Sequence, residues 1–94
     1  MALGASRKFH EDFVINNINM ARAELISAGS QECDRALKGT VLAAKAVARA
    51  RAHLVSIGKT DSKRTRKLWI IVSRQDRHVD ARVADLLKEC VVKR

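Results

Sequence analysis

The chain has no proline and no tyrosine, and it has only one Trp, two Phe and four Gly in 94 residues. Because proline is the strongest helix breaker, its absence leaves long helices uninterrupted. The scarcity of aromatic residues argues against a bulky globular core. The two cysteines, Cys33 and Cys90, lack the density and spacing of a disulfide scaffold, so a single bridge is not favoured.

Long apolar stretches are also missing, so no membrane-spanning segment and no membrane partner are expected. The first residues, MALGASRKF, lack the apolar core of a secretory signal. We therefore expect a protein of the cytoplasm, either free or associated with a nucleoid or virion.

Alanine is the most abundant residue, and apolar residues make up 47% of the chain. This fraction is ordinary for a globular protein, but an Ala-rich core buries little area per residue. The length allows one domain, residues 1–94, near the marginal end of stability. We expect it to form a homo-oligomer or to belong to a larger assembly.

Three helices are predicted, over residues 6–28, 31–57 and 62–92, separated at Gly29 and Gly58. Apolar or small residues recur at alternating spacings of mostly three and four in each segment. Ser6, Ser30 and either Asp61 or Ser62 suit the N-cap positions. The fold class is all-α, either an antiparallel three-helix bundle or a long helical hairpin with a third helix.

Residues 68–72, Leu-Trp-Ile-Ile-Val, are rich in side chains that favour strands, so this run could also form a short strand. A helix is favoured because no Gly or Pro follows to end a strand. Five consecutive apolar residues exceed one helix face, so Trp69, Ile70 and Ile71 are candidates for an interface with a partner. Trp69 alternatively anchors the core.

Charge is the most informative property of the chain, because the window Lys59–His78 carries +5 of the net charge of +9. Clustered cations are typical of proteins that bind a polyanion. On a helix Lys63, Lys67, Arg74 and Arg77 lie near one face. A second basic line on the middle helix could join them. The candidate binding residues are Lys59, Lys63, Arg64, Arg66, Lys67, Arg74 and Arg77, helped by Lys38, Lys45 and Arg49.

The leading functional hypothesis is a small accessory protein that binds DNA or RNA through phosphate contacts with low sequence specificity. No zinc finger, RNP motif or GXXG loop is present to read bases. The alternative is an interaction module that docks on an acidic protein surface, like the inhibitors, adaptors or assembly subunits that suit phage or plasmid genomes. A third interpretation is a charged face that only keeps the protein in solution.

Catalysis, metal binding and cofactors are not expected. The histidines and cysteines have none of the paired spacings of zinc sites. Asp76, His78 and Asp80 are close in sequence but do not share a helix face. Glu11 and Asp12, near the start of the first helix, are expected to serve the helix dipole and the surface.

Overall fold

A computed structural model of the chain describes residues 6–28, 32–58 and 60–91. These residues form three helices and no strand, which confirms the all-α prediction. None of the described helices is long and apolar enough to cross a bilayer. The helices are α1 (Arg7–Ala28), α2 (Cys33–Ile57) and α3 (Lys63–Val91).

Local capping sets several of the observed helix ends. The Ser6 hydroxyl accepts a hydrogen bond from the Phe9 amide at 3.2 Å, and Ser62 accepts one from the Thr65 amide at 3.3 Å. These are the N-cap contacts expected of serine. Gly58 follows α2 with φ of 74°, a backbone conformation that side chains disfavour. Helix α2 starts at Cys33, and its N-cap residue is Glu32 without a side-chain capping hydrogen bond, so the prediction that Ser30 caps this helix was wrong. Gly29 and Ser30 themselves lie outside the described residues.

The helices pack as an up-down-up bundle. His10 of α1 contacts His53 of α2, and Arg51 of α2 contacts Asp76 of α3, so each helix runs antiparallel to the next. The described part of the bundle measures 54 × 20 × 16 Å. Its main core consists of small and medium side chains, in keeping with the Ala-rich composition. The core residues are Val14, Ile18, Ala21, Ala43, Ala46, Val47, Ala50, Leu54, Leu68, Val72 and Val79.

The apolar run at residues 68–72 is helical, and most of its side chains pack within the bundle. Leu68 and Val72 are buried. Trp69 and Ile71 are half-buried on either side of them and pack against the core. Ile70 faces outward, with 57% of its surface exposed. Trp69 is therefore a core anchor, and of the three candidate interface residues only Ile70 is predominantly exposed.

A disulfide joins Cys33, the first residue of α2, to Cys90 near the end of α3. A single bridge was possible from the sequence but was not the favoured interpretation, and the structure contains it. The two residues are 57 positions apart, and only the antiparallel packing of α2 on α3 brings their Cα atoms within 5.6 Å. Cys90 belongs to a small second core with Ala36, Leu37 and Leu86, whereas Cys33 is exposed.

Candidate nucleic-acid interface

The six cations of the basic window that belong to α3 are all exposed. The buried positions of α3 begin with Thr65, Leu68, Val72 and Gln75, at helical spacings of three and four. This places the basic residues around the opposite and flanking sides of the helix. The six cations are Lys63, Arg64, Arg66, Lys67, Arg74 and Arg77. Lys59 lies outside the described residues.

Arg64 differs from the other five because it turns toward α1. Its guanidinium lies 3.6 Å from a carboxylate oxygen of Glu11 and 3.7 Å from one of Asp12. Glu11 is 3% exposed, so the expectation that it serves the surface was wrong. Thr65 donates a hydrogen bond of 2.6 Å to the other Glu11 oxygen. Arg64 therefore neutralises acidic groups of its own bundle instead of adding to the free positive charge.

Asp76, the one acidic residue of α3 within the basic window, is also paired. Arg51 of α2 donates to its carboxylate at 2.8 Å. Arg66 donates to the main-chain carbonyl of Asp61 at 3.2 Å, a contact that orients the guanidinium without cancelling its charge. The bundle thus compensates the acidic side chain and leaves the cations around it available.

We name the remaining cations the α3 stripe, which consists of Lys63, Arg66, Lys67, Arg74 and Arg77. None of them forms an ion pair with another described residue. From Lys63 to Arg77 the stripe extends for about 21 Å at 1.5 Å per residue. Ile70 lies on the same outward side. The arrangement is an elongated positive surface with one apolar side chain near its middle.

The second basic line, Lys38, Lys45 and Arg49, lies on α2 and is exposed. Arg49 donates to the Asn17 side chain of α1 at 3.0 Å, whereas Arg51, two residues later, reaches α3. Lys38 and Lys45 share the Arg49 side of α2 by helical spacing. Arg49 therefore turns toward α1, and the joining of Lys38, Lys45 and Arg49 with the α3 cations into one surface stays a prediction.

A cluster of histidine and phenylalanine rings between α1 and α2 was not predicted from the sequence. His10 and His53 approach each other with their Nδ1 atoms 2.9 Å apart, and Phe13 stacks on His53 at a centroid distance of 4.8 Å. The histidines are 43 positions apart, so no local spacing could have indicated the pair. No group of three or more His, Cys, Asp or Glu side chains among the described residues is arranged to hold a metal ion.

A groove runs between the end of α2 and the start of α3, beside the α3 stripe. Its volume is about 790 Å³, and Leu54, Val55, Thr65, Arg66 and Trp69 line it. The groove is largely apolar, and Arg66 connects it to the stripe. It extends the surface that is open beside the stripe.

Comparison of the chain with protein-family models, with curated proteins and with solved structures found no match.

Proposed function

We propose that this protein binds the phosphate backbone of nucleic acid through the α3 stripe, with little sequence specificity. The observation that supports this most directly is that five exposed cations on one helix have no described ion-pair partner. A protein that neutralises phosphates gains affinity by releasing the counterions condensed on them. Lys and Arg side chains on the outer side of a helix can reach phosphates without reading base edges.

The length of the stripe fits this partner. About 21 Å along a helix axis matches about six base pairs of duplex at 3.4 Å per step. The pairing of Arg64 with Glu11 and of Asp76 with Arg51 supports the same view, because acidic groups near the stripe are neutralised from within the bundle.

The test is a salt titration of binding to a labelled nonspecific duplex and to a labelled single strand. If five phosphates are neutralised, log K against log salt should have a slope of about −4.5 for duplex and about −3.5 for single strand. Reversing two central cations, Lys67→Glu with Arg74→Glu, should weaken binding more than about tenfold and flatten the slope by about two. Binding that is absent or insensitive to salt would overturn the proposal.

A matched control variant tests whether binding depends on where the charges are reversed or only on how many are reversed. Lys8→Glu with Arg22→Glu changes the net charge equally, and both residues are exposed on α1. The control should retain most of the affinity and the wild-type slope. If it weakens binding as much as the α3 variant, only the overall charge matters and the stripe is not a site.

A second candidate is docking on an acidic protein surface, and the exposure of Ile70 within the stripe favours it. Apolar side chains surrounded by charge often anchor protein interfaces. Ile70→Ser separates the two candidates. In nucleic-acid binding it should change affinity less than about twofold, because phosphate contact needs the charges. A duplex affinity that falls as much as for the charge reversals would instead assign the recognition to an apolar contact.

A further inference from the structure

Helix α1 carries a second apolar stripe, which the bundle covers only in part, where Phe9 and Phe13 lie against His53 of α2. We call it the α1 seam, and it consists of Phe9, Phe13, Asn16, Met20 and Ala23, all exposed. Phe9, Phe13 and Met20 are 46%, 41% and 52% exposed. None of the five residues is charged. Large apolar side chains in a continuous line are unusual on a surface that meets only water.

The spacing of the seam is that of a helix–helix interface. Its members follow one another at intervals of four, three, four and three residues, the pattern of core positions in a coiled coil. The inward stripe of the same helix has spacings of four, three and four residues and packs in the bundle core; it consists of Val14, Ile18, Ala21 and Leu25. A helix with two such stripes can contact two sets of neighbours, and the second stripe keeps Phe9, Phe13 and Met20 between 41% and 52% exposed in the described part of the bundle.

The distribution of charge indicates which kind of partner can cover the α1 seam. Helix α1 has three basic and three acidic residues, so its net charge is zero, whereas the chain as a whole carries +9. Two copies of a strongly basic protein repel each other through most of their surfaces. Helix α1 itself adds no net charge to that repulsion, so an approach along this helix brings together two neutral elements. Nucleic acid would gain little from an uncharged stripe.

We infer that the occupant of the α1 seam is the seam of a second copy, so that the protein forms a homodimer through α1. The seam spans about 21 Å at 1.5 Å per residue, enough for two heptads of contact. Asn16 lies in its middle, and a single Asn in a coiled-coil core sets the register of the pairing at some cost in stability. The inference does not depend on nucleic-acid binding, because the seam and the α3 stripe belong to different helices.

The test is sedimentation equilibrium of the full chain, from low to high micromolar concentration, with the Cys33–Cys90 bridge intact. The mass should rise from the 10.5 kDa of one chain to twice that value. Met20→Glu with Ala23→Glu should keep it at the monomer value, because four like charges would meet in the dimer. Raising the salt should not dissociate the wild-type dimer, since the seam contains no ion pair.

The control is Asn19→Glu with Ile26→Glu, which adds the same charge at exposed positions of α1 away from the seam. Ile26 is 78% exposed, more than any seam residue with a large apolar side chain. This variant should dimerise like wild type, and circular dichroism should show equal helix content in all three proteins. A wild-type protein that stays monomeric at every concentration overturns the inference. The inference is also overturned if the control variant dissociates to the same extent as the seam variant.

Discussion

At the scale of single residues, the contact between Thr65 and Glu11 determines how α1 meets α3. Thr65 is fully buried, and its hydroxyl donates to a carboxylate that is itself 3% exposed. A buried carboxylate is costly unless donors surround it. Thr65 therefore has a structural role, although its neighbours Arg64 and Arg66 in the basic window are exposed.

Replacing Thr65 with Val should lower the free energy of unfolding by about 1–3 kcal/mol, because Glu11 then loses a buried donor. Urea denaturation measures the change. Thr40→Val is the matched control, since Thr40 is equally buried and its hydroxyl donates only to the Ala36 carbonyl, within its own helix. The control should lose clearly less stability. Equal losses would mean that packing, and not the carboxylate, determines the cost.

At the scale of the elements, the bridge between Cys33 and Cys90 links the start of α2 to the end of α3. Only a small cluster around Ala36 and Leu86 packs at that end of the bundle. Disulfides persist in oxidising environments and are rare in the cytoplasm. The bridge and the expected cytoplasmic location thus predict different redox states for these cysteines, and counting free thiols in protein from cells would distinguish them.

Removing the bridge should destabilise the protein by about 2–4 kcal/mol, because it closes a loop of 57 residues in the unfolded chain. Thermal unfolding of the wild type with and without reductant measures the effect. Cys33→Ser with Cys90→Ser should match the reduced wild type and should not respond to reductant. A reductant effect of equal size on the double variant would contradict this explanation.

At the scale of the whole molecule, two surfaces of different character lie on different helices of a narrow bundle. The α3 stripe is basic, and the α1 seam is uncharged. Arg64 joins α3 to α1 through Glu11 and Asp12, so the two helices are held together by groups that belong to neither surface. The two proposed activities should therefore be separable by mutation.

Lys67→Glu with Arg74→Glu should weaken phosphate binding more than about tenfold and leave the dimer mass unchanged. Met20→Glu with Ala23→Glu should abolish the dimer and should weaken duplex binding no more than about twofold beyond the Asn19→Glu, Ile26→Glu control. Sedimentation and duplex titration of the same three preparations provide the measurement. If one folded variant loses both activities, a single shared surface carries them.

Much of the fold could be predicted because helix formation depends on residues within about one turn of each other. The predicted helices 6–28, 31–57 and 62–92 start and end within two residues of those observed. The buried stripe of α2, including Ala43, Val47 and Leu54, also followed from spacing alone. The exposed positions of the α3 cations followed from the same periodicity.

The sequence by itself determined the helices, the serine caps of α1 and α3 and the concentration of positive charge, since all of these depend on neighbouring residues. Only the tertiary structure decided that Arg64 pairs with Glu11, that Trp69 packs inward and that Cys33 meets Cys90. These contacts join positions 53 or more residues apart, or depend on which side of a helix faces its neighbour. Both are set by the rotation and axial register of packed helices, and no local pattern in a chain encodes them.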